Sequence, residues 1–131
     1  MADDPIARAR AALGVPFRLH GRDPATGLDC VGLVAFAWGL HTGVPTGYAM
    51  RGGSVEGYVA MIGALRLTRR RAEPRAGDAL LMMAGPRQFH LGLWTGESLI
   101  HADAGLRRVV ELPGAPPWRA IGAWHRKRRR G

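Results

Sequence analysis

Cysteine is almost missing from this sequence, which has one cysteine, Cys30, in 131 residues. A single cysteine excludes an intramolecular disulfide and a zinc site that is built on several thiolates. The chain also lacks a run of about 18 apolar residues, the length that a transmembrane helix needs. Two acids, Asp3 and Asp4, stand where a secretory signal would need basic residues before an apolar run. We therefore expect a protein that is made in the cytoplasm without a signal peptide.

Acidic residues are scarce, with 10 Asp and Glu against 19 Lys and Arg and a formal charge of +9. Such an excess favours a polyanionic partner: nucleic acid, an anionic membrane or an anionic cell-wall polymer. Much of the charge lies in the runs Arg69–Arg71 and Arg126–Arg130, which are equally explained as a solvated loop and a frayed tail. Neither run contains the aromatic residues that single-strand binders interleave with basic ones, although Trp124 lies close. We expect neither nucleic acid nor a membrane as a partner.

The composition is that of a globular protein, because 47% of the residues are hydrophobic and 22% are charged. A chain of 131 residues can bury a core of its own. No internal repeat or low-complexity linker divides it. We predict one domain over residues 1–125, followed by a basic C-terminal tail over residues 126–131.

The first half of the chain has the spacing of helices. Pro5 follows the capping residue Asp4 and begins a helix that Gly14 ends. A second helix is predicted from Cys30 to about Leu40, with Asp29 as its N-cap. A third is predicted from Ser54 to Leu65, again after a capping residue. The intervening stretches 16–27 and 42–53 are predicted to be loops.

The second half has the pattern of strands. The pattern is strand-like over 79–83, 89–95, 98–103 and 106–112, with short turns between these stretches, and 119–125 returns as a further strand. Helices followed by strands argue for an α+β fold and against alternating βαβ units. We expect N-terminal helices packed on an antiparallel sheet of about five strands.

Cys30 is predicted in the first turn of a buried helix. The unpaired amide groups and the helix dipole at such a position favour a thiolate, so a lowered pKa and a nucleophilic role are predicted. The other explanation is a small buried hydrophobic residue.

His90 and His101 lie on two predicted strands on either side of the turn at Gly96 and Glu97. That turn places the two histidines roughly opposite each other and on one face of the sheet. A nucleophile, a base and an orienting residue are then available, while hydrogen-bonded structural histidines remain an alternative. Two histidines and one cysteine make a poor zinc signature, so no metal is expected.

Three motifs resemble the NlpC-type cysteine peptidases, which cut the peptide stems of bacterial cell walls. They are Gly14-Val15-Pro16-Phe17 with Gly27-Leu28-Asp29-Cys30-Val31-Gly32-Leu33-Val34, then Arg75-Ala76-Gly77-Asp78-Ala79-Leu80-Leu81, then Phe89-His90-Leu91-Gly92-Leu93-Trp94 with Ile100-His101-Ala102. The resemblance implies a papain-like α+β fold and hydrolysis between D-glutamate and diaminopimelate without a cofactor. It also implies Cys30 as nucleophile, His90 as base and His101 as the residue that orients the base.

The stretch from His20 to Cys30 is similar to short family members encoded among the tail genes of phages and gene transfer agents. Those forms consist of the peptidase domain alone. The similarity implies incorporation into a virion or gene-transfer-agent tail, with tail-tip or hub proteins as partners beside peptidoglycan stem peptides.

Two residues depart from the family pattern. Val31 replaces the usual Ser, which is not part of the triad, and Phe17 replaces a Tyr whose hydroxyl helps to stabilise the oxyanion. Loss of one such donor typically costs roughly 10²–10³ in rate, and His20 or Arg22 from the same loop are the predicted substitutes. A catalytically weak or inactive tail-tip component, which uses the fold to bind cell wall or tail proteins, is therefore the alternative.

Charged loop residues are further candidates for substrate binding. Asp23, Arg22 and Arg51 could bind the charged ends of a stem peptide, although each such residue is more often simply a solvated loop residue.

Overall fold

The structure is a computed structural model that describes residues 4–40, 54–86 and 88–126. Arg51, with the whole of the predicted loop at 42–53, and the basic residues from Lys127 onward lie outside the described residues. The secondary structure elements, in chain order, are α1 Pro5–Ala11, β1 Arg22–Asp23, β2 Gly27–Leu28, α2 Cys30–Ala37, α3 Val55–Ala64, β3 Thr68–Arg69, β4 Ala79–Gly85, β5 Gln88–Trp94, β6 Ser98–Asp103, β7 Arg108–Pro113 and β8 Arg119–His125. Among these ranges, no helix is long and apolar enough to cross a membrane.

All three helices begin at the capping residues that the sequence predicts. The side chain of Asp4 accepts a hydrogen bond from the backbone of Ile6, that of Asp29 from Gly32, and that of Ser54 from Gly57. The helix ends are less predictable. The second helix ends at Ala37 instead of Leu40, because Gly39 turns the chain with a positive φ of 70°.

In the described part of the chain, the main sheet has six strands in the order β3-β8-β4-β5-β6-β7, and neighbouring strands are antiparallel. The predicted α+β fold is confirmed. The additional strand, β3, lies at one edge beside β8, and its two residues are too few to give a strand pattern. For the same reason the small ribbon of β1 and β2 falls inside a stretch that is predicted to be loop.

The core lies between the helices and one face of this sheet. Seven of the eight residues of α2 are buried, and their partners include Leu81 and Leu91 on the central strands. A second cluster joins α1 and α2 to β5, β6 and β7 through residues such as Ile100 and Val109. On the other face Leu80, Met82, Leu99 and Ala123 form a smaller cluster with Trp94 and Trp118. The buried α2 therefore fixes the position of Cys30 relative to the sheet.

The segment before β1 runs along the outer edge of β7. The amide of Gly14 donates to Val109 O, that of Val109 to Val15 O, and that of Phe17 to Arg107 O, each at 2.9 Å. These backbone bonds satisfy an edge that would otherwise be open and place Phe17 near the ends of β5 and β6.

Candidate active site

Cys30 is the first residue of α2 and is only 4% exposed. Its thiol packs in the cluster that contains Phe89 and Leu91. The backbone amide of Leu91 hydrogen bonds to the thiol group, and this amide belongs to the peptide unit that joins His90 to Leu91. The nucleophile candidate therefore lies against β5, the strand that carries the candidate base, but on the face of Leu91, whereas His90 pairs with Met82 and lies on the opposite face.

Burial, and after it the charge of Asp29, raise the pKa of the Cys30 thiol to about 12. Hydrogen bonds from the amides of Leu91, Val31 and Cys30 lower it without reversing the direction. The sequence predicts a lowered pKa from the helix N-terminus, and that prediction is wrong for this structure. Desolvation of the charged thiolate outweighs the helix dipole, because so little of Cys30 reaches solvent.

The loop before α2 is held by the side chain of Asp29, which is fully buried. One carboxylate oxygen accepts from Gly32 N at 2.8 Å and from Arg22 Nη1 at 3.0 Å, and the other accepts from His20 N at 2.8 Å. His20 and Arg22, the predicted oxyanion or substrate residues, are thus joined to the first turn of α2. Asp23 caps its own turn through Ala25 N at 2.9 Å.

His90 on β5 and His101 on β6 contact each other through a hydrogen bond of 2.8 Å between His90 Nε2 and His101 Nδ1. The register differs from the predicted one, since Leu93 pairs with Ile100 and not with Ser98. The difference is two residues, and a shift of two leaves every side chain on its original face. The rings therefore meet diagonally and not directly across the strand pair.

Trp118 completes a group of three perpendicular rings. Its ring centroid is 5.2 Å from that of His90 and 5.3 Å from that of His101, and the two imidazoles are 4.9 Å apart. Burial lowers the pKa of His90 to about 4, with a further lowering by His101, and burial lowers the pKa of His101 as well. Asp103 opposes both shifts through its negative charge. Both imidazoles are therefore neutral at pH 7.

An open cleft of about 280 Å³ lies over the two histidines. Its lining includes Phe17, Leu19, His90, His101, Asp103 and Trp118. Phe17 is thus beside the base candidate, whereas the described part of the lining contains neither His20 nor Arg22. Cys30 is also absent from that described lining, and it packs instead in the cluster between α2, α3 and the sheet.

Several residues of this cleft are missed by the sequence analysis. Asp103 follows His101 by two positions in a strand, so the alternation of side chains places it on the same face and could have indicated it. Trp118 follows a proline-rich break, and Leu19 lies in an irregular loop, so no periodicity predicts where either side chain points. Contacts between distant segments determine both positions.

The described residues contain no group of three or more His, Cys, Asp or Glu side chains that could hold a metal ion. The ring nitrogens of His90 and His101 that face each other are already used in their mutual hydrogen bond.

No family model matches the sequence, and no curated protein matches it either. Solved structures of NlpC/p60 domains do match the fold. The NlpC/p60 domain of the peptidoglycan hydrolase SagA is 24% identical, with a TM-score of 0.59 over 92% of this chain and 95% of that chain. The peptidoglycan hydrolase RipB of Mycobacterium tuberculosis is 23% identical, with a TM-score of 0.61 over 93% of this chain and 62% of that chain.

The P60 domain of an antigen from M. avium subspecies paratuberculosis gives a similar result. It is 23% identical, with a TM-score of 0.58 over 94% of this chain and 91% of that chain. Similarity at this level of identity establishes the shape of the backbone and leaves the activity to be argued from the site. The chain has the papain-like α+β fold of NlpC/p60 domains.

Proposed function

We propose that this protein is a cysteine endopeptidase that cleaves peptidoglycan stem peptides, at the bond between D-glutamate and diaminopimelate. The observation that carries the proposal is the 2.8 Å bond between His90 and His101 on a strand that lies directly against the thiol of Cys30. SagA and RipB, which share the fold, are described as peptidoglycan hydrolases, and this supports the substrate class.

The contact between the two histidines decides which nitrogen can act as a base. If His90 Nε2 carries the proton and donates it to His101 Nδ1, then His90 Nδ1 has a free lone pair for the thiol proton. His101 must then carry its own proton on Nε2, which is buried and has no hydrogen-bond partner among the described residues. In this arrangement His101 holds the ring of His90 in the reactive tautomer.

The reaction begins with a neutral thiol, because the pKa of Cys30 is raised to about 12 in this structure. His90 Nδ1 takes the thiol proton as Sγ attacks the carbonyl carbon of the stem peptide, and a tetrahedral intermediate forms. His90 then gives this proton to the leaving amine, and a thioester to Cys30 remains. Water, activated by His90, hydrolyses the thioester and restores the free thiol.

The oxyanion of the intermediate is the weakest point of this mechanism. The amide of Cys30 at the start of α2 is one donor, but Phe17 supplies no hydroxyl to be the second. The sequence predicts His20 or Arg22 as replacements, but the guanidinium of Arg22 already donates to Asp29, the backbone amide of His20 does so as well, and neither residue is in the described lining of the cleft. We therefore propose a slow enzyme with an incomplete oxyanion hole.

The test uses defined muropeptides whose products are weighed by mass spectrometry. The wild-type protein is expected to release fragments cut after D-glutamate, and Cys30→Ala is expected to lose roughly 10⁴-fold or more of this activity. His90→Gln, a matched variant of the base, is expected to lose roughly 10²–10⁴-fold. Cleavage that survives in Cys30→Ala would contradict a thiol mechanism.

A second function is favoured by two features, the burial of Cys30 and the missing hydroxyl at Phe17. A thiol that is 4% exposed, with its pKa raised to about 12, has the character of a structural residue. In this proposal the protein is a tail-tip component that binds cell wall or neighbouring tail proteins without cutting. It predicts that wild type and Cys30→Ala sediment equally with purified sacculi while neither releases fragments.

Assembly into a phage-like tail is proposed for either function, from the resemblance of the stretch between His20 and Cys30. We expect the protein in the tail-tip fraction of particles from a producing culture. Absence from particles that are purified to homogeneity would contradict this localisation.

A further inference from the structure

The ion pair between Arg22 and Asp29 is adjacent to the candidate nucleophile, because Asp29 immediately precedes Cys30 in the chain. Arg22 Nη1 is 3.0 Å from Asp29 Oδ1 and donates also to Gly21 O at 2.9 Å. The Asp29 side chain is 0% exposed and that of Arg22 only 24% exposed. Because Asp29 is the N-cap of α2, the guanidinium is joined to the turn that begins with Cys30.

The loop that carries Arg22 is packed too closely to move independently of α2. A Cβ added to Gly32 would meet Gly21 O at 2.0 Å, and a Cβ added to Gly21 would meet Gly27 O at 2.3 Å. Backbone therefore touches backbone on both sides of the ion pair. Arg22 is held where it is by the fold as well as by its charge.

The carboxylate of Asp29 acts on Cys30 as well as on the helix cap. Its negative charge disfavours the thiolate and is, after burial, the largest cause of the raised pKa of Cys30. The other titratable group packed against the cluster of the thiol is Tyr58 from α3, whose pKa is raised by burial and then by the charge of Cys30. A positive group that is bound to Asp29 weakens the repulsion between carboxylate and thiolate.

We propose that Arg22 is a positioning residue for Cys30, holding Asp29 in the cap of α2 and balancing the carboxylate charge that stands next to the nucleophile. The value of this role for catalysis rests on the proposed function. Its physical effect, a change in the pKa of the Cys30 thiol, can be measured without a substrate. It also gives Arg22 a function away from the cleft, in place of substrate or oxyanion binding.

The experiment measures the rate at which iodoacetamide alkylates the native protein between pH 8 and 9.5. Because Cys30 is the one cysteine of the chain, intact mass reports on it alone. Below the pKa the rate follows the thiolate fraction, so a rise of one pKa unit lowers the rate about tenfold. Arg22→Gln is expected to lower the rate roughly 3- to 10-fold, and Arg22→Lys, which keeps the charge, to stay within roughly twofold of wild type.

The matched control is Arg18→Gln, which removes a positive charge from the same loop at an exposed position. Its rate is expected to stay within roughly twofold of wild type. Asp29→Asn is expected to raise the rate, and Arg22→Gln is expected to have no further effect in the Asp29→Asn background, because the charge to be balanced is gone.

The direction of the change separates an electrostatic role from a merely structural one. A loosened loop would expose the thiol and accelerate alkylation, so an unchanged or faster rate in folded Arg22→Gln would overturn the proposal. If Arg22→Gln does not fold, a rate for Asp29→Asn equal to that of wild type would overturn it instead. Alkylation needs no substrate, so an absence of muropeptide cleavage would count against the proposed function and leave this result standing.

Discussion

The two sides of the candidate site are built from different interactions. On the thiol side, which we define as the loop from Arg18 to Asp29 with the first turn of α2, polar bonds converge on one buried carboxylate. On the histidine side, defined as His90, His101 and Trp118, three rings pack edge to face around a single imidazole hydrogen bond.

This difference indicates which side can adapt. On the thiol side, backbone packs against backbone, so a Cβ added at Gly21 or Gly32 must displace the main chain. The histidine side opens into the cleft, and its rings can tilt at the cost of a few dispersion contacts. We infer that the nucleophile is held rigidly and that a substrate is accommodated mainly by the histidine side.

The largest expected effect comes from filling the close contact on the thiol side. In Gly32→Ala the new Cβ would lie 2.0 Å from Gly21 O, a backbone atom that cannot swing away. We expect the free energy of unfolding to fall by about 3 kcal/mol or more, measured by urea denaturation. The matched control is Gly63→Ala in α3, where no described atom outside the adjoining stretch of the helix lies within 4 Å of the new Cβ.

Gly63→Ala is expected to leave stability unchanged or to raise it by about 0.5–1 kcal/mol, since alanine is the better helix former. If both variants were equally stable, the thiol side would be no more rigid than the exposed surface of α3, and the comparison would fail.

The second effect concerns the cleft wall between the two sides. Phe17→Tyr adds a hydroxyl at a residue that lines the cleft, where it can donate to an oxyanion. We expect cleavage of muropeptides to increase by roughly 10² in kcat, because one donor is typically worth this much. Phe36→Tyr, which adds a hydroxyl to a half-buried phenylalanine of α2 that is absent from the described cleft lining, is the control.

The expected gain belongs to kcat, because the oxyanion exists only after attack on the carbonyl. A gain that appeared only as a lower KM would point to ground-state binding. No gain at all would favour the inactive structural component.

The smallest expected effect is on the histidine side, in the pH dependence of the free energy of unfolding. His90 has a pKa of about 4 when folded against an ordinary 6.5, so the folded state binds fewer protons and acid favours unfolding. The free energy of unfolding should therefore fall as pH drops below about 6.5, by roughly 1–2 kcal/mol at pH 5. Denaturation of wild type and His90→Gln at pH 7 and pH 5 measures this.

The His90→Gln variant should lose much of the dependence on pH between 7 and 5, with the remainder due to His101, whose pKa is also lowered. An identical pH dependence in the two proteins would show that His90 is already accessible to protons when folded.

The sequence predicts the fold well where a local pattern carries the information. Capping residues locate the starts of the three helices in the described residues, and short runs of strand-forming residues between turns locate the strands from 79 to 103, because both signals arise within a few neighbouring residues. The ends of elements and strands of two residues are missed, since a positive φ at Gly39 or a pairing with β8 leaves no periodic trace.

The site is predicted only in part for a related reason. Alternation on two adjacent strands is enough to bring His90 and His101 to one face, even with a register error of two. The pKa of Cys30 is missed because its cause is burial beneath α3 and β5, which local position on a helix does not reveal. The roles of these residues remain predictions that the variants above test.

The backbone bonds that join the segment around Gly14 and Phe17 to β7 also affect the order of folding. They connect residues near the start of the described chain to residues near its end, so closing this contact carries a large loop entropy. During synthesis, Phe17 cannot dock until Arg107 and Val109 have left the ribosome. One wall of the cleft must therefore form late, and a nascent or truncated chain would have the thiol but no complete place to hold a substrate.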